Sequence, residues 1–111
     1  MEMNHALDSL SALAHEGRLQ VFRLLVRAGP EGMAAGEIAT ALQFRANTLS
    51  NHLNILAACG LVRALREGRS IRYFAEMQTM RGLLGFLMED CCGGNAALCQ
   101  PLLDQIACDC T

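Results

Sequence analysis

Apolar residues recur at helical intervals through the first part of the chain. Ala6, Leu7, Leu10 and Leu13 give residues 5 to 14 one stripe, and Leu19, Phe22, Leu25 and Val26 give residues 16 to 28 another. Pro30 and the glycines around it stop the second helix, because proline cannot continue the hydrogen-bond ladder. Ile38, Ala39 and Leu42 mark a short helix over 35 to 42. In "FRANTLSNHLNILAACGLV", Leu49, Leu53 and Leu56 fall at i, i+4 and i+7, with Gly60 placed as a C-terminal cap. Two short helices across a tight polar turn are a helix-turn-helix candidate. The period then changes to two: Val62, Ala64 and Arg66 lead into Glu67-Gly68-Arg69, and Ile71, Tyr73 and Ala75 lead out, which predicts a β-hairpin. Met80, Leu83, Leu84, Leu87 and Met88 restore a broad helical face over 77 to 90. Gly93-Gly94-Asn95 then break the chain, and residues 96 to 107 predict one more short amphipathic helix.

This order reads as a mainly α chain with a β-hairpin wing, an α+β winged helix-turn-helix over residues 1–90, followed by a tail over 91–111. The first and last long helices are too apolar to lie alone on a small domain. They predict a homodimer seam, with packing inside one subunit as the alternative.

At 111 residues the chain closes one modest core. Hydrophobic residues make up 52%, yet no run reaches the roughly 18 residues a membrane span requires. The N-terminus MEMNHALDS has no basic leader before an apolar block, so the expectation is a soluble cytoplasmic protein without a membrane partner.

The net charge of −2 hides an asymmetry. There is no lysine, and from Arg45 to Tyr73 five arginines (45, 63, 66, 69 and 72) face one acid, Glu67. Residues 89 to 111 hold Glu89, Asp90, Asp104 and Asp109 with no basic residue. A basic middle with an acidic end suits a DNA binder, although arginines also simply solvate surfaces.

The cysteines are as unevenly placed as the charge. Cys59 alone lies in the first 90 residues, while Cys91, Cys92, Cys99, Cys108 and Cys110 crowd the tail. A secreted disulfide scaffold spreads its bridges to staple distant loops, so this clustering points to a thiol site.

The segments "ALAHEGRLQVFRLL", "GEIATAL", "TLSNHLNILAACGLV" and "REGRSIRYF", spanning residues 12 to 74, resemble the successive signatures of the ArsR/SmtB family of metal-responsive bacterial repressors. The resemblance implies a homodimer that holds double-stranded operator DNA and lets go when an inducer arrives. With Leu49, Leu53 and Leu56 inward, the helical step turns Asn47, Ser50, Asn51 and Asn54 outward, and short amides and hydroxyls suit base edges and phosphates. Thr48 and His52 fall at the flank for phosphate contact, His52 alternatively closing the helix pair as a hydrogen-bonded histidine. Arg45 precedes the helix and is placed to hold a phosphate. By analogy with the winged fold, Arg66, Arg69 and Arg72 bracket a wing lying along the minor groove or backbone. A twofold dimer sets its recognition helices roughly 34 Å apart, which implies an inverted-repeat operator.

Family members differ in where the inducer binds. The arsenic pattern of three cysteines before the recognition helix aligns with Ala34, Gly36 and Ala39, and is absent. The zinc pattern of aspartate and histidines on the last helix is absent too, since no histidine follows His52. The tail resembles a further arsenic-responsive subclass with a vicinal Cys-Cys at the end of the last long helix. Trivalent arsenic or antimony, being soft, then takes Cys91, Cys92 and Cys99 as ligands, with Cys108 or Cys110 as substitutes for the third. A vicinal disulfide, a structural zinc site, and a redox or persulfide switch in the same fold stay open. No cysteine has a histidine nearby in sequence and no catalytic motif appears, so neither an enzyme nor an organic cofactor is expected. Cys59 reads as a small buried hydrophobe.

Overall fold

The computed structural model describes residues 1–89 together with Pro101 and Gln105. The tail cysteines and nearly all of the helix expected over 96 to 107 lie outside the described residues. Helices α1 (Met3–Leu13), α2 (Glu16–Ala28), α3 (Ala35–Leu42), α4 (Ala46–Ala58) and α5 (Met77–Leu87) accompany a small antiparallel sheet of β1 (Met33–Ala34), β2 (Val62–Glu67) and β3 (Ser70–Ala75). No helix among the described residues is long and apolar enough to cross a membrane.

The core forms where the helical stripes meet. Val21, Phe22 and Leu25 of α2, Ile38 of α3, and Leu49, Leu53 and Leu56 of α4 are buried together with Leu61 and Val62. Each such side chain contributes about 1.5–3 kcal/mol of transfer free energy. The helix ends are fixed locally. At the start of α2, His15 Nδ1 accepts the Gly17 N–H at 3.1 Å. The Glu37 carboxylate accepts the Ala34 N–H at 2.8 Å ahead of α3. After α4, Gly60 at φ 80° lets its own N–H reach Ala57 O and the Leu61 N–H reach Leu56 O, both at 3.0 Å. This is the paired closure of a Schellman motif, at the glycine the sequence marked.

Between α3 and α4 the chain turns at Gln43, which stands at φ 57°. The helix-turn-helix is therefore set by a left-handed residue that is not glycine. The His5 ring, half-buried on α1, bonds Cys59 O at 2.9 Å and docks the first helix on the end of α4. The Cys59 thiol is itself half-buried and donates to Leu56 O at 3.4 Å.

The hairpin that the alternation predicted is present, and its register sets Val62 opposite Ala75, Ala64 opposite Tyr73 and Arg66 opposite Ile71. Gly68 opens its two-residue loop at φ 62°, the conformation that a II′ turn takes at that position. The alternation predicts two strands, whereas the sheet has three. β1 pairs Met33 with Tyr73 and Ala34 with Arg72, giving the order β1-β3-β2. A 3-10 turn over Gly29–Glu31 feeds this strand. Gly32, at φ 62°, then brings the chain so close to β3 that a Cβ there would run into Tyr73 O and the Phe74 ring.

Two helices leave apolar surface uncovered. Met3, Leu7 and Leu10 on α1, with Leu84 and Leu87 of α5 and Met88 just beyond it, are exposed, Met3 at 60% and Leu87 at 51%. These are the helices from which the sequence predicted a seam.

Candidate nucleic-acid interface

With its leucines committed to the core, α4 turns Asn47, Ser50, Asn51 and Asn54 to solvent, and Thr48 is exposed as well. Asn47 also acts locally. Its Oδ1 accepts the Thr48 N–H at 3.0 Å, supporting a helix start that has no side-chain cap at Arg45. Its amide nitrogen remains a donor. The first turn of α4 holds no acid. The start of α4 and the exposed Arg45 therefore carry positive charge without a neighbouring acid in that turn.

His52 lies elsewhere. Only 6% exposed, it is packed between His15, with ring centroids 5.0 Å apart, and Phe44, at 5.6 Å. Its Nδ1 is buried with no hydrogen-bond partner among the described residues. The expected phosphate contact from the flank gives way to the alternative placement, an imidazole closing the helix pair, held by ring packing and not by a hydrogen bond at Nδ1. Sequence spacing put His52 beside the outward face, but the arrival of α2 covers that side.

The hairpin's two faces separate its arginines. Ile71 and Tyr73 look toward α3 and α4, where they line a hollow of about 250 Å³ with Ala35, Ala39, Leu49 and Ser50. Arg66, directly opposite Ile71, shares this face and is exposed, and Arg69 is exposed at the tip. Among the described residues, Arg45, Arg66 and Arg69 make no ion pair. Arg72 points to the other face and is engaged with protein groups. Arg63 is occupied too: its guanidinium sits 4.3 Å over the Phe74 ring and 3.6 Å from Glu76. Among the described residues the basic stretch thus divides into arginines without an ion-pair partner and arginines with one, a division that charge counting could not make.

Among the described residues no group of three or more His, Cys, Asp or Glu side chains is arranged to hold a metal ion. Cys91, Cys92 and Cys99 lie outside the described residues.

A helix pair with an amide-lined second helix, flanked by an arginine-tipped hairpin, defines a winged helix-turn-helix DNA-binding regulator. Residues 13–64 match the family model of a helix-turn-helix domain. The HTH-type transcriptional regulator CmtR of Mycobacterium tuberculosis is 36% identical over 83 residues, covering 71% of this chain and 70% of its own. Among solved structures, an ArsR-like transcriptional regulator from Rhodococcus sp. RHA1 superposes with a TM-score of 0.70 at 29% identity, covering 94% of this chain and 93% of that one. The homodimeric winged helix-turn-helix DNA-binding domain of a possible ArsR-family regulator from Mycobacterium bovis gives a TM-score of 0.64 at 31% identity, with 79% and 82% covered. The chain belongs to the ArsR family of winged helix-turn-helix transcriptional regulators. Its homologues are DNA-binding regulators, not enzymes.

Proposed function

We propose that this chain is a homodimeric repressor that holds an inverted-repeat operator and leaves it when trivalent arsenic or antimony binds the thiolates of Cys91, Cys92 and Cys99. One conjunction carries the reading: an outward amide face with unpaired arginines in the same chain as a vicinal thiol pair. The apolar faces left on α1 and α5 support the dimer, as does likeness to a homodimeric domain. Two copies related by a twofold axis present two α4 helices to successive turns of a duplex. Arg45 and the start of α4, with Arg66 and Arg69, take phosphates. Asn47, Ser50, Asn51 and Asn54 read base edges, and Thr48 adds to the backbone grip.

The inducer chemistry follows from softness. Trivalent arsenic prefers thiolate sulfur to oxygen or imidazole, and neighbouring cysteines supply two sulfurs at once. On binding, each thiol gives its proton to a hydroxide of arsenous acid, which leaves as water while an arsenic–sulfur bond forms. No electrons are exchanged. Ligation just past α5 ties the tail to the seam and changes how the subunits sit. A coupling of about 3 kcal/mol lowers operator affinity roughly 150-fold.

The test is fluorescence anisotropy of operator-bound protein titrated separately with arsenite, phenylarsine oxide, zinc and a persulfide donor. Release by the arsenicals, lost in the double variant Cys91→Ser, Cys92→Ser, supports the proposal. Release by persulfide alone transfers the tail to redox sensing, and arsenical release that survives the double variant overturns the assignment.

A further inference from the structure

The side chain of Arg72 gathers three separate parts of the chain. Its Nε donates to Glu67 Oε1 at 2.8 Å, on the neighbouring strand beside the wing tip. Its Nη1 donates to Glu31 O at 3.0 Å and Gly32 O at 3.3 Å, in the connection leading to β1. Its Nη2 stands 3.8 Å from Glu37 Oε1, in the first helix of the helix-turn-helix. That same Glu37 oxygen receives the Ala34 N–H. The backbone of Arg72 lies in the central strand, between Ala34 and Leu65. The side chain is one-third exposed, whereas Arg66 and Arg69 stand in solvent.

Register adds an independent argument. Arg72 lies opposite Leu65, and residue 72 alternates with Ile71 and Tyr73, the two side chains that face α4. Its guanidinium therefore leaves the sheet on the face away from the recognition helix, whereas Arg66 leaves on the near face. A fork of five donors suits this role, since it can bind a carboxylate and several carbonyls in fixed directions.

We infer that Arg72 is a positioning residue, a clamp that fixes the pitch of the wing against α3 so that Arg66 and Arg69 meet the duplex at the right height, and that it is not itself a phosphate ligand. The inference rests on the DNA-binding reading and is independent of the inducer. Isolated exposed ion pairs add little to stability, so the effect of the clamp is on geometry more than on folding.

Operator affinity measured against salt concentration separates the roles, because each lost phosphate contact flattens the log–log slope by about 0.9. Binding by the parent protein tests the DNA-binding reading by itself. Given that, Arg72→Ala and Arg72→Lys are each expected to lose affinity about tenfold with the slope unchanged, since lysine keeps the charge but not the fork. Arg66→Ala should flatten the slope by about 0.9. The surface variant Glu67→Gln gives a test of sign that is insensitive to any folding defect at position 72. Removing an acid from a DNA-facing domain strengthens binding if only charge matters, whereas loss of the clamp weakens it. Tighter binding by Glu67→Gln overturns the inference, as does parental affinity in Arg72→Lys combined with a flattened slope in Arg72→Ala.

Discussion

His15, the residue that caps α2, and His52, in the middle of α4, face each other with ring centroids 5.0 Å apart and planes tilted by 52°. This contact joins the recognition helix to the scaffold. It holds two titratable rings where only one is exposed. Burial, then the neighbouring His15, then Arg18, hold the His52 pKa below 6.5. Phe44, on the other side of the ring, offers no charge to offset them.

A depressed pKa means that the unfolded chain takes up a proton at a pH where the folded one does not. The contribution of His52 to stability is thus fully present above its unfolded value of 6.5 and is lost as pH falls through the lower folded value. Urea midpoints should be flat from roughly pH 8 to 6.5 and decline below it. His52→Gln should remove part of that decline, and an unaltered profile would falsify the assignment to this ring.

Gly17 lies against the same ring. A Cβ placed there would stand 2.7 Å from His52 Nε2 and 3.3 Å from two ring carbons. Gly17→Ala should therefore lower stability by about 1–3 kcal/mol, the usual cost of overpacking a closed site. Chemical denaturation reads this directly, and a variant as stable as the parent shows that the two histidines have room to part.

Gln43 carries the left-handed turn between α3 and α4 at φ 57°. Glycine meets no Cβ penalty there, and the relief exceeds its extra chain entropy. Gln43→Gly should raise stability by about 0.5 kcal/mol. A lower melting temperature in the variant contradicts this.

Sequence reading succeeded where structure is decided locally. Leu49, Leu53 and Leu56 disclosed α4 because its period lies within one helix, and Gly60 marked its end because only that position needs φ 80°. The alternation of Val62, Ala64 and Arg66 against Ile71, Tyr73 and Ala75 disclosed the hairpin, while its register came from the strand pairing itself. β1 was invisible, since two residues have no period and Met33 becomes a strand only by pairing with Tyr73. His52 was misplaced for the same reason: its surroundings come from His15 and Phe44, which no spacing within α4 reveals. The partners of Arg72 come from positions 31, 32, 37 and 67, so its charge was legible and its occupation was not.

Substituting the exposed apolar faces tests the dimer. Leu7 on α1 is 54% exposed and Leu87 on α5 51%. The double variant Leu7→Glu, Leu87→Glu places like charges on the seam and should sediment as a folded monomer with operator binding lost. A variant that stays dimeric moves the interface to another surface.

The proposed base readout and phosphate contact of α4 can be tested apart. Asn51→Ala and Asn54→Ala should each reduce discrimination between operator and mismatched DNA by about 1–3 kcal/mol, with the salt slope kept. Arg45→Ala should weaken all sequences alike and flatten the slope by about 0.9. Competition titrations at two salt concentrations distinguish these outcomes.

Among the described residues, the order β1-β3-β2 leaves the six-residue β2 with one side of its backbone unpaired, along a strand exposed everywhere except Val62. Such a row of open amides and carbonyls invites another chain to add a strand. Arg63, Arg66 and Glu67 interrupt it with charge, the kind of side chain that guards an open strand edge against another chain.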